Sequence, residues 1–464
     1  MKDCKKTVLA LSAVFLCFMT SVYAEYNSFG IPDSSEIRTE ITDSWFHQDL
    51  ENIRMNNVQV RKNIEGESFQ ISLEEQEKQF IVYVSPKSTM QVDVYDSKGV
   101  HTVTEDSFLP NSFGSWLYAR SKDRGQSLFV RIYISRNSDV YIQFSPSKKN
   151  TVADFVIFNS YVAKSVPVGV PFEKILTMSI AQIYSLTKNS LPWKYAECVP
   201  EQYEPSLVMI QTIRSMQNKI AYEEDAMYDE FGKSISIRTA LPHICDEKNK
   251  GKLILSSNGF VKWVVDGLVE PIAGSYLKRS PLIEPTVEYK ETGFQGSLNL
   301  EYSTNFSLDW TRNIAAAAFS VRANKTYLYK DSGIDVTTEP FAAVITEKGV
   351  LNSTGYIKNT GYKPDNLKAI LYTLSIDEPD YFYLAAIRQT DRKSSEVKVF
   401  NDSAVIFPYL DSKGIFRISV FMDGKEIKYS DFEKYLLKSN DCFVHLARVK
   451  TSKMFYPQDN KSLY

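Results

Sequence analysis

The stretch from Leu253 to Val269 changes from strand-like to helix-like sequence within a few residues, and this change constrains the second half of the chain. Its first three residues are apolar, as in a buried strand, and its later part places apolar residues at helical spacing. Between them, residues 256–259 are two serines, an asparagine and a glycine. These small residues predict a helix over 258–268 with Ser257 as its N-cap. A reactive side chain placed at the helix start is the other interpretation.

The first part of the chain has the pattern of a β-sandwich. A chain of 464 residues is expected to form two or three domains. Residues 80–84 and 91–95 are apolar or alternating, and residues 128–134 and 140–144 flank a polar turn that predicts a hairpin. We therefore predict a β-sandwich domain over residues 25–165. It carries no catalytic signature, which is typical of a packing or binding module.

A second part, with both helices and strands, follows a predicted linker. Two prolines and a glycine interrupt the pattern at 165–171. Helical spacing then predicts helices over 172–186 and 205–222. Strands return further on, with candidates at 381–387, 404–410, 415–421 and 443–449. The expected fold class is therefore α+β and multidomain.

The N-terminus predicts export. Residues 1–24 combine a basic start, an apolar core and a small-x-small cleavage site, which is the pattern of a signal peptide. No later apolar run approaches the roughly 18 residues of a membrane span, so no transmembrane segment is expected after signal removal. We expect an exported protein that is periplasmic or associated with the cell envelope.

Charge and cysteine content exclude several classes of protein. The net charge is −2, and without a basic block the chain is not expected to bind nucleic acid. Cys198, Cys245 and Cys442 remain after the leader, too few for a disulfide scaffold. The acidic residues at 223–230 lack the spacing of a calcium loop and indicate a solvated helix end. No cofactor and no metal site are expected.

Residues 253–264 resemble the nucleophile segment of the NlpC/P60 family of cell-wall peptidases. The family pattern is Asp-Cys-Ser-Gly, followed by Phe or Leu, by Val and by a helix that contains an aromatic residue. Matching Gly259 and the Phe-Val pair at 260–261 places Ser256 at the family aspartate and Ser257 at the family cysteine. The resemblance implies a papain-like fold, in which the helix packs on a small antiparallel sheet that carries a histidine.

A second block of resemblance lies further along the chain. Residues 380–384 are similar to a Gly-Asp-Leu-Val-Phe strand of the family, and residues 401–407 are similar to its Ser-His-Val-Gly-Ile-Tyr strand. This match places Ser403 at the catalytic histidine. It implies an NlpC/P60-like domain over 172–464, with a large insertion at about 270–375.

Both groups that the family's chemistry requires are replaced by serine. A serine hydroxyl is far more basic than a thiol, so Ser257 needs a positioned base, and Ser403 cannot accept a proton usefully near pH 7. The expectation is a pseudoenzyme with no catalytic residues. Its remnant groove, near Ser256, Asn258 and Trp263, is expected to hold peptidoglycan peptide or an envelope protein without cutting it.

Two alternatives remain open. His243 and Cys245 alternate on one stretch and could form a displaced thiol–imidazole pair, or they could be a loop histidine beside a structural cysteine. A displaced pair, or a serine-based site, would make the protein an active cell-wall peptide hydrolase. His445, close to Cys442, is expected to be a structural histidine. The segment 309–313 matches no motif; Asp309 is a candidate helix cap and a candidate partner of Arg312.

Overall fold

The structure is a computed structural model with mixed α+β architecture, and the chain divides into two compact units. The first comprises Met1–Cys198 with Phe341–Ser353, and the second comprises Val199–Pro340 with Thr354–Tyr464. The predicted signal peptide, residues 1–24, lies outside the described residues. The structure describes residues 29–96, 99–137, 139–197, 199–287, 304–346, 349–351, 355–391, 397–439 and 441–459.

The first unit is built on an antiparallel sheet of eight strands, in the order β1-β2-β3-β6-β7-β8-β9-β10, with β4 and β5 paired separately. The strands are β1 Gln59–Lys62, β2 Ser68–Glu75, β3 Gln79–Pro86, β4 Ser88–Asp96, β5 Gly99–Ser107, β6 Trp116–Ser121, β7 Ser127–Tyr133, β8 Val140–Ser147, β9 Asn150–Ile157 and β10 Ser160–Pro167. The predicted hairpin is confirmed, since β7 pairs with β8 in antiparallel register.

Both faces of this sheet are buried at its centre, which gives it a sandwich-like character. Ile81 and Val82 point to opposite faces of β3, and each is less than 5% exposed. Short helices lie over one face: α1 Ser35–Glu40, a π-helical turn Thr42–Phe46, and α2 Leu50–Ile53. Arg120 on β6 donates to the carbonyl oxygen of Phe46 at 2.9 Å and so attaches this layer to the sheet.

The first unit extends beyond the predicted linker at 165–171. Helices α3 Phe172–Ile175 and α4 Ile180–Thr187 belong to it, where the sequence predicted one helix of a second domain. Ser179 separates them, because its hydroxyl accepts from Gln182 in a capping box. Arg38, which is fully buried, donates to the carbonyl oxygen of Leu176 at 2.6 Å. This contact holds the segment with α3 and α4 on the first unit. The boundary between the two units lies between residues 198 and 199.

The first α-helix of the second unit is α5 Glu204–Met216, which follows a 3-10 turn at Pro200–Tyr203 and is shorter than the helix predicted over 205–222. A 3-10 turn at Gln217–Lys219 ends it, and the next residues form a strand instead. Four short strands follow in two pairs: β11 Ile220–Tyr222 runs parallel to β14 Leu253–Leu255, and β12 Ala226–Tyr228 runs antiparallel to β13 Ser234–Ser236. The pair β15 Val344–Thr346 and β16 Gly349–Leu351 belongs to the first unit.

A five-stranded antiparallel sheet organises the rest of the second unit, in the order β20-β19-β18-β17-β21. Four of its strands were predicted: β17 Tyr381–Thr390, β18 Lys398–Leu410, β19 Phe416–Met422 and β21 Phe443–Lys450. The fifth, β20 Lys425–Ile427, was not. The helices of this unit are α6 Ser257–Ala273, α7 Arg279–Leu282, α8 Phe306–Ala323, α9 Tyr329–Ser332, α10 Pro364–Asp377 and α11 Tyr429–Leu437. Helices α6 and α8 lie against each other, and both pack on β18. In the part of the chain that the structure describes, no helix is long and apolar enough to cross a membrane.

Candidate functional site

The two serines at the start of helix α6 have different structural roles. Ser256 has extended backbone geometry and is the N-cap, since its hydroxyl accepts from the backbone N–H of Gly259 at 3.1 Å. The same hydroxyl donates to the carbonyl oxygen of Ala226 on β12 at 3.0 Å. The prediction of Ser257 as the cap is therefore wrong by one residue. The backbone turns into the helix one residue earlier because Ser256 is the serine held against β12.

Gly259 is needed because the helix start lies directly on β12. A Cβ atom at this position would overlap the carbonyl oxygen of Ala226, which is backbone and cannot move aside cheaply. Asn258 is also held in the interior, where its carbonyl oxygen accepts from the indole N–H of Trp310 on α8 at 2.8 Å. The glycine that carries the family resemblance thus has a packing role here.

Ser257 lies in the first turn of α6, and its hydroxyl is already engaged. It donates to a carboxylate oxygen of Asp423, in the turn between β19 and β20, at 2.6 Å. Its exposed fraction is 6%. The helix start favours negative charge, but a carboxylate is a much weaker base than an imidazole. This arrangement fixes the hydroxyl in place and does little to ionise it.

Ser403, the residue matched to the family's histidine, lies on β18 and is 1% exposed. Its hydroxyl has no hydrogen-bond partner within the described parts of the chain. Ala386 on β17 is opposite Ser403, and His445 on β21 is opposite Ala386. The three side chains therefore share one face of the sheet. With strands about 4.8 Å apart, the imidazole is two strands away from Ser403.

His445 is fully buried and makes contacts of its own. Its Nε2 lies 3.3 Å from a guanidinium nitrogen of Arg312 and 3.5 Å from a carboxylate oxygen of Asp335. The hydroxyl of Tyr356 is 3.4 Å from the same nitrogen. Burial lowers the pKa of His445. The ring is a neutral imidazole whose Nε2 is surrounded by Arg312, Asp335 and Tyr356, and within the described residues it is hydrogen-bonded to neither serine.

Arg312 on α8 is the centre of this polar cluster. Its guanidinium binds Asp335 through two hydrogen bonds, of 3.1 and 2.6 Å, and it also donates to Asn359 at 3.0 Å. Burial opposes ionisation of Asp335, but hydrogen bonds from His445 and Arg312 outweigh it and lower its pKa. Because His445 stays neutral, we assign the permanent charge opposite Asp335 to Arg312. The cluster ties α8 to the segment after α9 and to β21.

Asp309 does not pair with Arg312 and does not cap α8, contrary to both sequence-based candidates. It lies within the helix, and its carboxylate accepts from the backbone N–H and the hydroxyl of Thr286 at 2.8 and 2.6 Å. Burial raises the pKa of Asp309, although the two bonds from Thr286 oppose the shift. Arg312 instead reaches Asp335, 23 residues away in sequence.

His243 and Cys245 are brought together by a third residue, Glu223. One carboxylate oxygen is 2.8 Å from Nε2 of His243, and the other accepts from the thiol of Cys245 at 3.7 Å and from Asn249 at 2.8 Å. Partial burial and the negative charge of Glu223 raise the pKa of Cys245. The thiol stays protonated at neutral pH, which is the opposite of an activated nucleophile. The acidic residues predicted to end a helix lie instead in the turns on either side of β12.

Trp263 is buried in the interior of the second unit. It is 2% exposed, its indole N–H donates to the carbonyl oxygen of Gln458 at 2.9 Å, and its ring stacks with Phe260. Together with Ser256 and Asn258 it was predicted to line a groove. All three are at most 8% exposed, so they do not form an open surface in this structure. Among the described residues, no group of three or more His, Cys, Asp or Glu is placed to hold a metal ion.

Comparison with known proteins informs the first unit more than the second. A family model described as a domain of unknown function (DUF8515) matches residues 27–195. This match ends close to the division at 198/199 and includes α3 and α4, in agreement with their place in the first unit. No curated protein and no solved structure matches the chain.

Proposed function

We propose that this is an exported protein of the cell envelope whose second unit is a degenerate NlpC/P60-like domain with a papain-like arrangement. In this proposal the unit binds peptidoglycan peptide or an envelope protein and does not cut it. The packing of α6 against a strand of an antiparallel sheet supports the resemblance. So does the position of Ser403 on that strand.

The pairing of Ser257 with Asp423 carries the non-catalytic part of the proposal. A serine nucleophile needs a base that removes its proton as it attacks. In the described residues, no histidine is hydrogen-bonded to Ser257 or to Ser403, and His445, on the same sheet face as Ser403, contacts Arg312 and Asp335 instead. Without an ionised nucleophile or a base, most of the acceleration expected of a hydrolase is lost.

Incubation with insoluble peptidoglycan tests the binding claim. We expect the purified mature protein to sediment with the polymer, in the presence and absence of moderate salt, and to leave no soluble fragments. A second assay uses immobilised envelope extract in place of peptidoglycan. The proposal would be contradicted if the protein remained in the supernatant in both assays. Albumin of similar concentration serves as the control for trapping in the pellet.

The alternative of an active hydrolase has one observation in its favour, because Glu223 gathers His243 and Cys245 at one place. The raised pKa of the thiol opposes it. Alkylation by iodoacetamide at pH 6–7 separates the two. We expect Cys245 to react no faster than a free cysteine in an unfolded peptide. Rapid alkylation in the folded protein would support the displaced pair.

The location is tested by fractionation of cells into cytoplasm, periplasm and membranes. We expect a protein shortened by the predicted leader, residues 1–24, outside the cytoplasm. Recovery of the full-length chain from the cytoplasm would contradict export. A cytoplasmic enzyme assayed in the same fractions controls for lysis.

A further inference from the structure

A groove of about 570 Å³ opens in the second unit, away from the two serines. We name it the α6–α8 groove. Its walls come from residues 268–272 of α6, 315–323 of α8, 332–334 at the end of α9, and 448–450 of β21, and Glu378 and Tyr381 line it as well. Its volume lies within the range of roughly 300–1,000 Å³ that is typical of small-molecule sites.

Much of the groove wall is aliphatic. Leu268, Val269 and Ile334 are buried at its floor, and alanines of α8 keep the space between the helices open. At the rim, Ile272 is 54% exposed and Phe319 is 41% exposed. Exposed apolar side chains around a concave apolar floor are a feature of ligand sites.

Three cations line the groove, and they differ in their binding partners. Arg448 pairs with Glu378 at 3.0 Å, and Lys450 lies 3.6 Å from Asp380. Arg322 differs from both, because its guanidinium donates to the carbonyl oxygen of Thr451 at 3.3 Å and pairs with no described carboxylate. Although part of the side chain is exposed, burial lowers the pKa of Arg322. Asp380 lies near enough to favour this cation electrostatically, but among the described residues no hydrogen bond joins the two, and an anion that binds beside the guanidinium is stabilised by it.

We propose that the α6–α8 groove binds an aliphatic carboxylate, with its hydrocarbon chain along α6 and α8 and its carboxylate on Arg322. The proposal goes beyond the proposed function, since it requires neither peptidoglycan nor the family resemblance. The planar guanidinium suits a carboxylate because two parallel N–H groups meet its two oxygens.

An extended peptide fits this place less well than an aliphatic acid. A peptide that adds to a sheet needs a free strand edge. The outer edge of β21 beside the groove is already taken, because Arg448 donates its backbone N–H to Ile334 at 2.8 Å and Val336 donates to Leu446 at 3.0 Å. The aliphatic floor also offers few groups for peptide amides, whereas it is suited to methylene groups.

Calorimetric titration with decanoate, below its micelle concentration, tests the proposal with the full mature chain. We expect saturable binding that is about tenfold weaker for Arg322→Gln, because a charged hydrogen-bonded pair is lost. Decanol is expected to bind wild-type protein about as weakly as decanoate binds that variant. Ala318→Trp should abolish binding by filling the groove.

Lys325→Gln is the matched control, since Lys325 follows Arg322 closely but does not line the groove. It should bind decanoate as wild type does. Absence of saturable binding to wild type, equal affinity of Arg322→Gln and wild type, or unchanged binding by Ala318→Trp would each overturn the proposal. Circular dichroism and melting curves of all variants establish that each is folded.

Discussion

The first turn of α6 is closed, whereas its last turns, from Leu268 to Ile272, border an open groove. At the start, Ser256 caps the helix, Ser257 donates to Asp423, and Gly259 lies against the backbone of β12. At the other end, Ile272 is exposed. The closed end carries the resemblance to a peptidase, and the open end carries no recognisable motif.

This difference shows that a motif-like local pattern can be explained by packing alone. At this helix start, Ser256 is favoured as the N-cap and Gly259 is required by the backbone of β12, without any need for chemistry. The space for a ligand is provided by the open end, beside the cation Arg322. Substitutions at the closed end should therefore change stability, and substitutions at the open end should change binding.

The largest effect is expected from Gly259→Ala. Alanine normally stabilises a helix relative to glycine, but here the new Cβ overlaps the carbonyl oxygen of Ala226. We expect a loss of about 3 kcal/mol in the free energy of unfolding, as for an overpacked core, measured by urea denaturation. Gly274→Ala is the control: it has open space but a φ of 70°, and should cost about 1 kcal/mol. If Gly259→Ala were more stable than wild type, the start of α6 would not be packed closely against β12.

The next largest effect is a loss of stability on acidification from pH 7 to pH 5. His445 is buried and its pKa is lowered from the ordinary value of 6.5. Below pH 6.5 the unfolded chain therefore binds a proton that the folded protein does not, and stability falls as pH falls. The slope approaches about 1.4 kcal/mol per pH unit. His445→Gln should have a shallower slope over the same range; an unchanged slope would contradict a neutral buried imidazole.

Two smaller effects separate the serines. Ser256→Ala removes the helix cap and should cost about 1 kcal/mol. Ser257→Ala removes the bond to Asp423 and should cost a similar amount. The exposed Ser215 on α5 provides the control, since Ser215→Ala should change stability by less than about 0.5 kcal/mol. If Ser256→Ala changes the free energy of unfolding no more than Ser215→Ala does, and only Ser257→Ala lowers it, then Ser257 and not Ser256 is the helix cap.

The smallest effect on stability is expected at the open end. Ile272→Asn places a polar group where the side chain is already 54% exposed. The free energy of unfolding should change by less than about 0.5 kcal/mol, while decanoate binding weakens in calorimetry. A large loss of stability would show that this end of α6 is packed and that the groove is not open in solution.

The strands of the second unit could be predicted from sequence, because apolar and β-branched residues mark them directly. All four candidates between Tyr381 and Val449 fall within β17, β18, β19 and β21, apart from one residue at the start of the third. The helix start was placed one residue late. Ser256 and Ser257 are the same residue type, and the choice between them is made by Ala226, which is 30 residues earlier.

The remaining features depend on contacts that are remote in sequence. Asp309 is near Arg312 along the helix, but Arg312 bonds to Asp335 because that carboxylate folds back onto α8. The helix predicted to reach residue 222 ends early because Ile220 pairs with Leu253. The α6–α8 groove combines segments more than 150 residues apart, none of which has a recognisable pattern alone.

Digestion of purified peptidoglycan by wild type, Ser257→Ala and Cys245→Ala tests the central claim most directly. The soluble peptides released are quantified by chromatography, and the fold of each variant is checked by circular dichroism. We expect no release above the buffer control from any of the three, because Ser257 is engaged by Asp423 and the thiol of Cys245 is protonated. Release by wild type that disappears in a folded Ser257→Ala or Cys245→Ala protein would contradict the account.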